Sequence, residues 1–367
     1  MSGCGIHRSM ALLNQVTRED AMRVIRLSAC VALGLIGGAL GAARAQLAEV
    51  SVGTAASISD VPIYIAQSKG YFQEEGINVK TVEFSSATYM VAPLGAGQLD
   101  VGGGAPSAGL YNAVARGIKL KIVADKASSQ PGYGVNQILV RKDLIDSGRY
   151  KTPKDLKGMK LALAGTGVSS MTTLNDTIKP FGVKYSEVEI LDMAFPQHVV
   201  ALRNKAIDAS ITTDPSATVA IKEGVAVKII TDDQVIPKHQ IAVLLYSEEF
   251  ALKRPDVAKR FMRAYLKAVR FYNGALADSR FAGPNADEVI GILTRATPIK
   301  DAAVFKAITP NGCDPDGRVD VPSLKKDLDF YREQGLINGT VTVDQVLDPS
   351  FAQAALNELG PYRAPSR

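Results

Sequence analysis

The sequence predicts an α/β protein of two lobes joined by a two-strand hinge, with the ligand cleft between the lobes. Three observations carry this. One unit occurs twice in the chain, each copy alternates strand and helix, and two strand-like stretches connect the copies.

The repeated unit runs from Leu94 to Asp125 and again from Leu202 to Asp232. Leu99-Asp100 matches Ile207-Asp208, Pro106-Ser107-Ala108 matches Pro215-Ser216-Ala217, and Gly117 matches Gly224. Upstream, Gly76-Ile77 corresponds to Gly182-Val183, and all offsets lie between 106 and 109 residues. Solenoid repeats recur every 20–50 residues, so this long period implies two related domains.

Each element follows from its pattern. Glu49–Ala56 alternates apolar and polar residues, which is a strand. Asp60–Glu75 carries Ile63, Ala66 and Tyr71 at helical spacing and stops before Gly76. Val79–Phe84 is the next strand, Tyr89–Gly97 a helix, and Asp100–Gly102 a short strand. Pro106 opens a helix that runs to Arg116 and ends at Gly117, the usual Pro-first, Gly-last order. Leu120–Ala124 closes the first copy, and Lys160–Ala164 begins the second. Strand alternating with helix predicts parallel sheets covered on both faces.

Gln137–Arg141 leaves the first copy and Ile241–Tyr246 leaves the second. After that the chain is helical over Pro255–Tyr272, Ala286–Ala296 and Pro322–Gln334. The expected organisation is therefore 46–141 as the first part of lobe 1 and 142–241 as lobe 2. Residues 242–367 complete lobe 1 with the C-terminal helices.

Residues 1–45 read as an export signal. A basic flank (Arg23, Arg26) precedes the uncharged run Leu27–Ala43, and Ala43-Arg44-Ala45 ends it. A membrane anchor is the alternative, but the run is Gly-rich and short of the ~20 residues a span needs. Cleavage after Ala45 would release a periplasmic protein. Lipid attachment at Cys30 would instead need an apolar segment ahead of that cysteine. The mature chain keeps only Cys313, which leaves no internal disulfide and no cysteine-based metal site. The formal charge of +5 is concentrated in the leader, so nothing points to nucleic acid. There is no Trp, which removes a Trp-lined cage for a quaternary ammonium.

The candidate site lies where strands end. Thr166, Gly167, Val168, Ser169 and Ser170 form a small-residue turn leading into a helix, whose free N–H groups and hydroxyls suit a polar or anionic group. The turn resembles G-x-G-x-x-G, but Ser170 replaces the third glycine, which weakens a dinucleotide reading. Asp214 before Pro215 is either a helix cap or a cleft residue. Gly104, Ala105, Pro106 and Ser107 face it from the first copy, and Ser57, Ile58, Asp60, Ser85 and Ser86 end the other first-lobe strands. Ala105–Gly109 is a weak match to a nucleophile elbow, and its histidine partners would have to be His198 or His239. Those two lack metal-ligand spacing. No Lys or Arg occurs in the core of these loops. The basic run Lys253–Arg270 reads as a solvated helix face, with a partner-docking face as the alternative.

Several motifs resemble one family. They are Pro62-Ile63-Tyr64-Ile65-Ala66-Gln67-Ser68-Lys69-Gly70-Tyr71-Phe72 with Glu75-Gly76-Ile77, Leu156-Lys157-Gly158-Met159-Lys160, Ala206-Ile207-Asp208-Ala209, and Arg254-Pro255-Asp256-Val257. The chain resembles the NMT1/THI5-like, SsuA-like substrate-binding proteins of ABC importers over about Val50 to Tyr272. The resemblance implies a periplasmic-binding-protein-like fold. It also implies a monomer that binds a sulfonate, nitrate, aromatic acid or aminopyrimidine and delivers it to a membrane permease, without a cofactor. The family's pyrimidine-synthase branch needs a dense His and Cys cluster that this chain lacks. The alternatives are an exported hydrolase-like enzyme using the same cleft and a ligand-sensing partner of a membrane receptor.

Overall fold

The computed structural model describes residues 46–363; the leader, its cleavage position and Cys30 lie outside the described residues. The first sheet contains β1 (Ala48–Thr54), β2 (Ile77–Glu83), β3 (Val101–Gly104), β4 (Lys121–Ser128) and β10 (Gln240–Tyr246), in the order β2-β1-β3-β10-β4. The second contains β5 (Gln137–Arg141), β6 (Lys160–Leu163), β7 (Glu189–Asp192), β8 (Ala209–Thr212) and β9 (Ala226–Thr231), in the order β7-β6-β8-β5-β9. The two orders are equivalent, so the sequence duplication is also a duplication of topology.

Both sheets are mixed, which corrects the expectation of parallel sheets. β2, β1 and β3 are parallel, whereas β10 runs antiparallel to β3 and β4. β5 stands in the same relation to β8 and β9. The reason is topological: each crossing strand enters the other sheet from the hinge side, opposite to the strands made within the lobe. The lobe boundary shifts accordingly. Gln137–Arg141 pairs entirely within the second sheet, so the crossing precedes it and lobe 2 begins near residue 137 rather than 142. The hinge is the pair of segments 129–136 and 232–239. They are bonded to each other: Asp232 accepts from the Val135 and Asn136 N–H groups, and Ser129 N–H donates to His239.

Helices cover the sheets. Those that matter for the site are α1 (Val61–Ser68), α2 (Ala108–Ala115), α3 (Ser169–Ile178), α4 (Phe195–Arg203) and α5 (Ser216–Lys222). The C-terminal part adds α6 (Pro255–Asn273), α7 (Ala286–Ala296), α8 (Ala302–Ala307), α9 (Val321–Glu333) and α10 (Ser350–Leu359). Phe261, Ala264, Tyr265 and Ala268 of α6 are fully buried in the lobe 1 core, whereas Leu324, Leu328 and Tyr331 of α9 pack in a cluster with residues of both sheets. The basic face of α6 is solvated in part, with Lys259 exposed, while its other basic residues meet acids within the molecule. Arg263 pairs with Glu75 and Glu358, Lys267 reaches Glu74 at 3.4 Å, and Arg270 reaches Asp316 at 2.9 Å. None of the described helices is long and apolar enough to cross a membrane.

Candidate functional site

The C-terminal ends of β1, β3, β6 and β8 converge between the lobes, the place where open α/β sheets bind ligands. They enclose a cavity of about 50 Å³. Ser57, Ser86, Gly104 and Ala105 line it from lobe 1, and Val168, Ser169 and Ser170 from lobe 2. Small residues are required for this approach. Gly167 has φ +72°, and a Cβ there would lie 2.7 Å from that of Ala108. At Gly104 an added Cβ would meet Ala87 at 2.6 Å.

The two helix starts at the cleft differ. Ser107 caps α2 by accepting from Leu110 N–H at 3.2 Å. α3 begins after Val168, which offers no capping side chain, and so its first N–H groups lack that partner. Ser170, 6% exposed, lines the cavity, and its hydroxyl has no hydrogen-bond partner. An uncapped helix start beside a buried unpartnered hydroxyl is equipped to bind a hydrogen-bond-accepting group. The neighbouring Ser169 hydroxyl donates to Ile241 O at 3.3 Å.

The remaining expected residues serve other roles. Thr166 turns outward and donates from both N–H and Oγ1 to Asp192. The Gly167 carbonyl accepts from Ala108 N–H at 2.7 Å, joining the lobes. Ser85 is exposed, and Pro106 lies behind the cavity with its carbonyl accepting from the Tyr331 hydroxyl at 3.3 Å. Ile58 donates its N–H to Asp214 O across the cleft at 2.7 Å.

Asp214 does not line the cavity, contrary to expectation. Its Oδ1 accepts from Thr218 N–H at 2.9 Å, capping α5 from one residue before Pro215. Its Oδ2 accepts from Gln137 Nε2 at 2.7 Å and from Thr309 N–H at 3.2 Å. Thr309 and Ile58 belong to lobe 1, so Asp214 is a latch between lobes. Burial pushes its carboxyl above the usual range, and the Thr218, Gln137 and Thr309 hydrogen bonds oppose that.

Asp60 is likewise occupied. It is fully buried, and its Oδ1 lies 2.7 Å from Lys126 Nζ. Oδ2 accepts from Ser57 N–H at 3.0 Å and Ala55 N–H at 3.2 Å, which shapes the loop after β1. Lys126 is the residue that sequence reasoning missed. β4 extends to Ser128 instead of ending at Ala124, and this carries Lys126 beneath the cleft. The signal was present: Asp125-Lys126 puts two charges directly after an apolar strand. Lys126 also donates to Ser59 Oγ at 2.8 Å. The cleft therefore gains no free cation from it.

Asn136, Ile241 and Ala242 also line the cavity, from the two hinge crossings, as do Thr213 and Phe195. Neither histidine does. His198 is on the buried face of α4, between Thr212 Oγ1 at 2.8 Å and Met193 O at 2.9 Å, and burial depresses it to about 4. Since Met193 O can only accept, Nε2 carries the proton and Nδ1 accepts from Thr212. His239 is buried at the hinge against Asp327 at 2.9 Å. Burial pulls its basicity down, but Asp327 and Asp232 together raise it.

The family model for NMT1/THI5 like proteins matches residues 58–274. The chain belongs to this family. A Bacillus subtilis protein named for binding aliphatic sulfonates is 28% identical over 91% of this chain and 95% of its own length. The taurine-binding periplasmic protein of Escherichia coli is 27% identical over 62% of this chain and 68% of its own. Similar proteins also include one named as an enzyme: a 4-amino-5-hydroxymethyl-2-methylpyrimidine phosphate synthase of Saccharomyces cerevisiae is 26% identical over 58% of this chain and 62% of its own. Among solved structures, the alkanesulfonate-binding protein SsuA from Xanthomonas axonopodis pv. citri superimposes with TM-score 0.67 at 17% identity, over 83% of this chain and 99% of that one. The nitrate-binding protein NrtA from Synechocystis PCC 6803 gives 0.70 at 15%, over 86% and 90%. These likenesses identify the NMT1/THI5-like chain as having the periplasmic-binding-protein fold.

Proposed function

We propose that this chain is the extracytoplasmic solute-binding component of an ABC importer. In this reading the leader exports it, cleavage after Ala45 releases it, and it acts as a monomer that passes a small polar organic solute or oxyanion to a permease. The observation that carries the reading is the small cavity between equivalent lobes, with the uncapped start of α3 and the unpartnered Ser170 hydroxyl beside it. The relatives named for sulfonate and taurine binding support the same role. The proposed contacts are Ser57, Ser86, Gly104, Ala105, Val168, Ser169 and Ser170, with Asp60 and Asp214 holding the walls.

In this reading the cavity holds a solute without transforming it: both ring nitrogens of His198 are engaged, His239 is in the hinge, and Cys313 is buried in the lobe 1 core. Calorimetric titration with sulfonates, nitrate, aromatic carboxylates and aminopyrimidines tests the proposal. It expects one-to-one binding with the solute recovered unchanged, and compaction in solution scattering, because a solute touching both lobes favours closure. Chemical turnover of a bound solute would overturn it.

A further inference from the structure

Helix α9 joins the hinge to both sides of the solute site. Its Leu324 and Leu328 belong to one buried cluster with Tyr111 of α2 and Met171 of α3. Lys326 pairs with Asp176 of α3 at 2.5 Å. The Tyr331 hydroxyl donates to Pro106 O at 3.3 Å, directly ahead of the Ser107 cap of α2. At the hinge end, Ser323 Oγ accepts from Gln240 N–H at 2.8 Å. One helix therefore holds the lobe 2 helix that starts at the cavity, the lobe 1 loop opposite it, and the end of the second crossing.

The remaining hinge contact is charged. Asp327 of α9 lies 2.9 Å from His239 Nε2, and neither side chain is exposed. His239 is fixed to the other crossing as well, since its carbonyl accepts from Ser129 N–H at 2.8 Å. Asp232, fully buried in the same crossing as His239, accepts from the Val135 and Asn136 N–H groups of the other. Among the described residues, the charged groups that face the ring are Asp327 and Lys326 from α9 and Asp232 from the hinge. Tyr111 and Tyr331 face Asp327 as neutral hydroxyls, because burial raises both. Burial works against a charge on His239, but Asp327 and then Asp232 outweigh it and raise the ring above its ordinary value, with Lys326 opposing. His239 Nδ1 and Asp327 Oδ2 have no partner among the described residues, so a single hydrogen bond closes the pair.

We propose that Lys326, Asp327 and Tyr331 are positioning residues for the solute site, and that the His239–Asp327 pair makes this positioning depend on pH. The proposal rests on the solute-receptor reading above. The His239 cation stands between two buried carboxylates and pins α9 to the hinge. When it loses its proton, Asp232 and Asp327 are left without a countercharge, and a buried charge without a partner is strongly destabilising. Withdrawal of α9 from the crossing relieves this by admitting water. Pro106 and α3 are bonded to α9, so both faces of the cavity shift with it. The raised basicity of His239 gives the sign: the pin is complete below about pH 6.5 and is lost as pH rises through the folded-state value. Solute affinity then follows pH with that same midpoint, although His239 does not line the cavity.

The test reads the full chain without solute. NMR titration between about pH 6 and pH 9 follows the His239 ring together with the Ser107, Ser169 and Ser170 amides. Hydrogen exchange over the same range follows segments 129–136 and 232–239. The ring should titrate above about 6.5, and the three amides should shift with the ring's midpoint. Hinge protection should fall about tenfold for each unit by which that midpoint exceeds 6.5. His239→Gln keeps a donor toward Asp327 but no charge, and should abolish the shift of the amides. Asp327→Asn should lower the ring's midpoint. A ring that titrates at or below 6.5, amides that stay still while it titrates, or amide shifts that persist in His239→Gln would each overturn the proposal. The coincidence of midpoints in the wild type needs no variant to fold. Because no solute is present, these failures leave the receptor standing, and turnover of a solute would overturn the receptor while leaving the midpoints as measured.

Discussion

Lys126→Met tests whether the buried Lys126–Asp60 pair is scaffold or solute contact. Both side chains are fully buried, with Nζ 2.7 Å from Asp60 Oδ1 and 2.8 Å from Ser59 Oγ. Methionine fills similar volume but leaves the Asp60 carboxylate with only the Ala55 and Ser57 N–H groups. Breaking one side of a buried pair typically costs about 3–5 kcal/mol, because the remaining charge is neither hydrated nor compensated. The described chain has roughly 320 residues, and unfolding entropy near ~2.1 cal/mol/K per residue converts this to a Tm loss of about 5–7 °C. Replacing both partners, Asp60→Asn with Lys126→Met, removes the orphaned charge and should recover all but about 1 kcal/mol. Urea unfolding and calorimetric binding of the wild type, both single variants and the double variant complete the cycle. A scaffold pair predicts strong coupling in stability and near-normal binding in the double variant. Additive stability losses, or a stable Lys126→Met protein that cannot bind an anionic solute, would refute the reasoning.

Three further outcomes are expected. Ser170→Ala should leave the unliganded protein at least as stable as the wild type, since the hydroxyl has no partner, yet weaken solute binding by about twofold to tenfold in titration. A lower Tm with unchanged affinity would remove Ser170 from the site. Asp214→Asn should destabilise by about 1–3 kcal/mol in urea unfolding: the amide can accept from Thr218, but its NH₂ meets the Gln137 and Thr309 donors. Affinity should fall with it through loss of the latch, and a silent variant would show that Oδ2 is not engaged. His198 is held below its unfolded value of about 6.5, so it takes up its proton more readily in the unfolded chain. Its contribution is therefore complete above pH 6.5 and is lost as pH falls toward 4, about 3 kcal/mol in all. His198→Gln should flatten that part of the stability profile, and an unchanged slope between pH 6.5 and 4 would contradict the assignment.

Much of the cleft was legible because local patterns carry it. The turn at Val168–Ser170 is a small-residue run after a strand, and Ser57, Ser86, Gly104 and Ala105 also end strands. In a duplicated α/β chain those positions must come to the same edge of each sheet. Other residues share that local signature and do different work. Thr166 and Ser85 belong to the same turns but point away: Thr166 is held outward by its two hydrogen bonds to Asp192, and Ser85 is exposed. Asp214 reads as a cap from its neighbour Pro215 and does cap, at Thr218. Its other oxygen finds Gln137 and Thr309, 77 and 95 residues away, which no local pattern encodes.

The sequence by itself determined the duplication, the alternation of strand and helix, the two crossings, and the loops that approach the cleft. These follow from spacing, turn chemistry and hydrophobic period, all properties of short segments. Only the tertiary structure decided that the crossing strands sit antiparallel inside each other's sheets, because strand direction depends on the side from which the chain enters. It also decided the fate of every charge near the site. Asp60, Lys126 and Asp214 look available in a list of residues, yet each is spent on a partner distant in the chain. A buried charge must be paired, and the partner is chosen by the packing of elements remote from one another. What remains for a solute is hydroxyls, helix N–H groups and apolar wall.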